Sequence, residues 1–176
     1  MSKHRVPVLM MLLFPIAALA QAHGNPVTDT FRKFESEQGK ILIEAAESMP
    51  ADKYGFKPTA AQWSFGQIVA HIAGDNQVTC SAIAGAAPVA EPKLSASVTK
   101  DEGVAALKRS IDFCNSSIAK VTDAQLADSV IYYGGHTRRI SPFVGLVEDW
   151  SDHYSQLAGY LRLNGVLPPT AKEGGE

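Results

Sequence analysis

Asp149 and His153 stand four residues apart, and so do His71 and Asp75. On a helix that spacing puts both side chains of a pair on one face, a turn apart. Each pair also sits among apolar residues. Asp149 and His153 lie in the stripe Phe143, Leu146, Val147, Trp150, Leu157, Tyr160 and Leu161, and His71 and Asp75 share a face with Ile68, Ile72, Thr79 and Ile83. A carboxylate or imidazole on such a face is costly unless something pairs with it. Two imidazoles and one or two carboxylates converging between helices is how a bundle builds a divalent-metal site. The candidate ligands are His71, Asp149 and His153, a set that leaves coordination positions open, as a catalytic metal requires. It suits iron, and zinc, nickel or manganese would fit as well. Asp75 is then a fourth ligand, an acceptor that orients His71, or a general base. The competing reading needs no metal: Asp149 and His153 hydrogen-bond to each other, and His71 is a satisfied core histidine.

The elements that carry these residues are well punctuated. From Ser141 to Pro169 the spacing predicts a helix about 34 Å long, with Ser141 as cap, Pro142 in the first position, Gly165 after the last helical residue, and Pro168 and Pro169 as the stop. The helix bearing His71 starts after Ser64, where Gln67 completes a capping box and Trp63 and Ile68 are placed as a hydrophobic staple; Gly85 ends it. Val27, Phe31, Phe34, Gln38, Ile41, Ala45 and Met49 outline a first helix closed by Pro50. Thr99 and Glu102 form a second capping box ahead of the seam Val104, Leu107, Ile111, Cys114, Ile118 and Val121. Residues 51–63 read as an ordered loop, 86–97 as a linker, 122–127 as one helical turn, and 129–140 as an extended segment or loose hairpin around Gly134 and Gly135. The expected fold is all-α, a four-helix up-and-down bundle over 25–169 followed by a disordered tail, 170–176. In up-down-up-down order the second and fourth helices run parallel, and the two polar pairs, each two to three turns past its cap, would meet at one depth.

The rest of the chain bounds the function. Lys3 and Arg5 precede the apolar run from Val6 to Ala20, which reads as a secretory signal cleaved after Ala20 or after Ala22 (signal 1–20 or 1–22). No later segment is apolar enough to span a membrane, and the remainder matches one domain. Without Lys3 and Arg5 the 16 basic residues fall to 14 against 18 acidic ones, and Arg138–Arg139 is the only adjacent pair of arginines. That balance argues against a nucleic-acid partner and leaves a small molecule as the expected one. Export implies an oxidising compartment, most simply a bacterial periplasm, where Cys80 and Cys114 can form a disulfide; the other reading is two buried thiols.

The loops entering the second and fourth helices are expected at the same end as the metal pairs. Tyr54, Phe56, Trp63, Tyr132 and Tyr133 would wall a substrate pocket, and His136, Arg138 and Arg139 would meet an anion. Otherwise these aromatic residues close the end of the core and the arginines are a solvated turn.

The loop Tyr54-x-Phe56-x-Pro58, the run Trp63-Ser64-Phe65-Gly66-Gln67, the segment Ala70-His71-Ile72-Ala73, and His153-Tyr154-x-Gln156-Leu157-x-x-Tyr160-Leu161-Arg162-x-x-Gly165-x-x-Pro168-Pro169 together resemble the DinB-like superfamily over nearly the whole chain after the leader. The resemblance implies a four-helix bundle holding zinc or nickel through one histidine of the second helix and an H-x-x-x-H pair on the fourth. His71 and His153 match two of those ligands, and Asp149 stands where the remaining histidine would be. It further implies dimerisation, and thiol-dependent transferases among the relatives. A metal-dependent hydrolase or thiol transferase is thus one expectation, and a non-catalytic binding or structural module with a vestigial metal site is the alternative. Hydrolysis suits an oxidising compartment better than chemistry that needs a free thiol.

Overall fold

The structure is a computed structural model that describes residues 24–87 and 97–173. The expected leader, most of the 86–97 linker and residues 174–176 lie outside the described residues. Four long helices, α1 (Pro26–Ser48), α2 (Phe65–Ala84), α3 (Lys100–Ile118) and α4 (Ile140–Leu163), pack together. A hairpin of β1 (Ser129–Tyr132) and β2 (Gly135–Arg138) precedes α4, and a short α5 (Pro169–Glu173) follows it. Single helical turns at Ala51–Lys53 and Asp123–Gln125 complete the fold.

Local chemistry explains most of the boundaries. Ser64 and Gln67 bond reciprocally at the start of α2, Thr99 and Glu102 do so at the start of α3, and Gly85 adopts φ 72° beyond the end of α2. Asn25 supplies no side-chain cap to α1. Asp123 does so from a distance, accepting from the Val27 and Thr28 amides and the Thr28 hydroxyl. α4 begins two residues ahead of expectation, at Ile140, and the Ser141 hydroxyl accepts from Thr137 at 2.8 Å instead of capping the helix. Where a disordered tail was expected from 170, α5 forms, and Thr170 bonds to Tyr154 through both its hydroxyl and its amide.

The helix directions differ from the expected alternation. Val69 lies against Gly103, Asn76 bonds Ser110 and Cys80 is bonded to Cys114, a constant offset of 34 residues that makes α2 and α3 parallel. α1 runs against α3, with Arg32 on the Val121 carbonyl at one end and Lys100 on the Glu47 carbonyl at the other. α4 runs against α2: the Tyr160 hydroxyl donates to the Trp63 carbonyl at one end, and Arg139 donates to the Ile83 carbonyl at the other. The order is therefore up, down, down, up. A long second connection makes this feasible, since the residues from Gly85 to Thr99 can reach about 50 Å, more than the roughly 30 Å length of α2. As a result α2 packs directly on both α3 and α4.

The core is aliphatic and aromatic, with Leu42, Phe65, Ile72, Leu107, Phe143 and Trp150 fully buried. A polar chain crosses it. Trp150 Nε1 donates to Asn76 Oδ1 at 2.7 Å, Asn76 Nδ2 donates to Ser110 Oγ at 2.9 Å, and that hydroxyl donates to the Leu107 carbonyl. Trp150 also seats over Gly39 of α1, where an added Cβ would lie 3.6 Å from the indole and 2.9 Å from Ile111. The Cys80–Cys114 disulfide closes a 34-residue separation, a constraint worth about 2–4 kcal/mol.

α1 buries Ala45 and Met49 of the expected face and packs Phe31 and Phe34 against the core, but Val27 is exposed, while Thr28, Glu35, Gly39, Leu42 and Ala46 are buried as well. Apolar periodicity could not place Glu35 inside. Its side chain has Oε1 without a hydrogen-bond partner, and burial, helped by nearby Asp112, pushes its carboxyl up from 4.5 to about 7. A carboxyl raised on folding contributes no penalty below pH 4.5 and destabilises as pH rises through 7. Glu35→Gln should therefore stabilise the protein by about 3 kcal/mol at pH 8 and by little at pH 4, as read by denaturant melts at the two pH values; an equal effect at both would contradict this.

Candidate metal centre

Antiparallel packing brings His71, about two turns into α2, opposite the turn of α4 that carries Asp149 and His153. Asp149 Oδ1 lies 3.2 Å from His153 Nε2 and 3.6 Å from His71 Nε2, and one donor atom from each residue falls within 4.8 Å of the other two. The two imidazole rings meet edge to face at 4.7 Å. Exposure falls from 36% for the His71 side chain to 18% for Asp149 and 11% for His153, so the cluster is closed at His153 and open at His71. Asp149 Oδ2 and His153 Nδ1 are buried without a hydrogen-bond partner, the nearby Asp152 oxygen being 3.9 Å from Nδ1 and so too distant.

Charge complementarity wins over burial at both ends of the α4 pair. Burial would raise the Asp149 carboxyl, but the hydrogen bonds and charges of His153 and His71 hold it below its usual 3.8. Burial would likewise lower His153, yet the Asp149 hydrogen bond and charge lift it above 6.5.

The remaining candidates separate into neighbours of the cluster and residues elsewhere. The Trp63 ring lies 4.9 Å from His71 and 6.3 Å from His153, and is half exposed. Asp75 lies one turn past His71, outside the three-residue cluster; its oxygens accept from the Tyr133 hydroxyl and, at 3.1 Å, from Thr79. Tyr132 reaches to 3.5 Å from Thr79 and lies against α4 at Gly145, where a Cβ would come 2.5 Å from its hydroxyl. Trp63 and the hairpin tyrosines thus flank the groove between α2 and α4. Tyr54 does not line it: buried, it packs on Phe65 and donates to the Ala46 carbonyl. Phe56 packs edge-on against Tyr160. His136 and Arg138 are exposed on the outward face of the hairpin, opposite Ile131 and Ser129, and Arg139 is tied to Asp128 and the Ile83 carbonyl. The expected common mouth fails because α2 and α4 are antiparallel, which puts their entering loops at opposite ends.

Sequence reading missed Asn76 and Gly145. An amide one position after Asp75, on a helix otherwise rich in apolar residues, was the available signal for the first; nothing marks the second.

Comparison with known proteins agrees with this architecture. The family model described as DinB superfamily matches residues 36–153. A DinB-like protein from Bacillus cereus superposes with a TM-score of 0.68 at 12% identity, covering 80% of this chain and 95% of its own. A DinB-like protein from Bacillus subtilis gives 0.65 at 18% identity, with 77% and 92% covered. A conserved protein from Enterococcus faecalis gives 0.63 at 16%, with 78% and 96% covered. At such identities the likeness concerns the fold. No curated protein matches the chain.

The paired charges carry a testable sign. His153, raised on folding, contributes stability that is lost as pH rises through its folded value; Asp149, lowered, contributes stability that is lost as pH falls through its own. In Asp149→Asn the strongest groups that raise His153 are gone, and burial is opposed only by Gln156 and Asp152, so its NMR titration should shift down from that of the metal-free wild type; an unchanged midpoint would contradict the pairing.

Proposed function

The chain belongs to the DinB superfamily, and from that premise we propose that it binds one divalent metal ion through His71, Asp149 and His153 and acts on a small substrate at the open side of that site. The observation that carries the reading is the donor set itself, two imidazole nitrogens and a carboxylate oxygen from two helices, with a buried carboxylate oxygen left over. Donors around a tetrahedral ion stand roughly 3–3.5 Å apart. The separations of 3.2 and 3.6 Å are already of that size. When bound, the ion supplies Lewis-acid polarisation to whatever occupies the exposed His71 side.

The chain's own residues have distinct parts in this. Asp149 lies 3.2 Å from His153 Nε2 and 3.6 Å from His71 Nε2, so it holds both rings toward one point, and it lowers the charge of the centre relative to a set of three histidines. Trp63 covers the two rings and limits the approach of water. Asp75, held by Tyr133 and Thr79, is the carboxylate nearest along α2 that can take a proton from a substrate or from attacking water. Hydrolysis, with water as nucleophile, fits this set better than thiol transfer, because the leader from Lys3 to Ala20 supports export to a periplasm where free thiols are scarce.

The hydrogen bond already joining Asp149 to His153 supports a second reading, a metal-free binding module in which the three groups satisfy one another. Elemental analysis after dialysis against mixed trace metals separates the two. The first reading expects close to one equivalent in the wild type, loss in His71→Ala and His153→Ala, and retention in Asp149→His. A wild type without metal would support the second, and metal retained by His153→Ala would contradict the first.

A further inference from the structure

α2 and α4 meet largely through apolar side chains, and apolar contact is non-directional: it says little about where one helix stops sliding along the other. The metal donors need that register held, since a shift of α4 by one turn, about 5.4 Å, would carry Asp149 away from His71. Tyr160 to the Trp63 carbonyl and Arg139 to the Ile83 carbonyl tie the two ends, and the fully buried directional contact between them is the one from Trp150 to Asn76, at 2.7 Å between residues 0% and 1% exposed. Trp150 follows Asp149 directly and precedes His153 by three; Asn76 follows His71 by five. Asn76 is itself immobilised, because its Nδ2 donates to Ser110 on α3 and, one turn further on, the Cys80–Cys114 disulfide joins the same two helices. On the far side Trp150 sits over Gly39 of α1.

We propose that Asn76 is a positioning residue for the metal centre: its amide, held from α3, sets through Trp150 the register at which His71 faces Asp149 and His153. The inference rests on the metal-binding reading above. Filling space would need only an apolar side chain of similar size, whereas here both ends of the amide are used. Trp150 is the only indole on α4, and sliding the helix by a turn would break its bond to Asn76 and leave the buried Oδ1 without the partner it has here.

The test compares Asn76→Leu with the double variant Asn76→Leu/Trp150→Phe. In the single variant, zinc affinity by titration calorimetry should fall on the order of tenfold or more. The ring-proton NOE between His71 and His153, whose centroids lie 4.7 Å apart, should weaken in the metal-free protein. The double variant leaves neither partner unsatisfied and should regain thermal stability, but neither the affinity nor the NOE. If affinity and NOE return together with stability, Asn76 acts only through the core and the proposal is overturned. Should Asn76→Leu fail to fold, Trp150→Phe carries the same test: weakened zinc binding supports the proposal and wild-type binding overturns it. A wild type that binds no zinc would sink the metal reading, and the NOE comparison then decides the positioning role by itself.

Discussion

The hydrogen bond from Trp150 to Asn76 is the contact on which the arrangement of this bundle turns. It lies where all four helices meet: Trp150 belongs to α4 and rests on Gly39 of α1, while Asn76 belongs to α2 and is gripped by Ser110 of α3. A donor and an acceptor buried together have a definite separation and direction, which the surrounding aliphatic contacts lack, and leaving either one unpaired would cost about 1–3 kcal/mol. Two tight approaches, at Gly39 in the core and at Gly145 beneath Tyr132, let the helices and the hairpin come close enough for the polar contacts to form.

The metal cluster follows from the same logic with the opposite exposure. In the chain from Trp150 through Asn76 to Ser110 the polar side-chain atoms are used up by one another. At the edge of α2 and α4, Asp149 faces two imidazoles but retains a buried oxygen without a partner, and His153 retains a nitrogen. Burial opposes the charge on both residues, and their mutual attraction outweighs it. A carboxylate held charged against desolvation beside two imidazoles, with one side open to a groove flanked by Trp63 and the hairpin tyrosines, is an arrangement suited to a cation that can be approached from outside.

What could be read in the sequence was what is encoded over a few residues. The capping boxes at Ser64 and Thr99 and the glycine stops at Gly85 and Gly165 depend on neighbours within a turn, and they formed where the residue types placed them. The helix spacing of four likewise marked Asp149 with His153. Long-range features were not legible. Ser141 has the character of a cap, but Thr137 on the hairpin claims its hydroxyl, and the cap of α1 comes from Asp123, far along the chain. Spacing within a helix says nothing of its direction, so α2 and α4 were expected parallel, and the pocket was drawn from two loops that lie at opposite ends. Tyr54 and Phe56 look as suitable for a pocket as Trp63 does; only the fold shows that the first two pack in and beside the core.

Anomalous diffraction from crystals grown with zinc, collected on both sides of the metal's absorption edge, tests the central claim most directly. The account predicts a peak about 2.0–2.2 Å from the donor atoms of His71, Asp149 and His153, with open coordination positions toward the groove. A peak only at exposed histidines such as His136, or none at all while Asp149 still bonds His153, would contradict it.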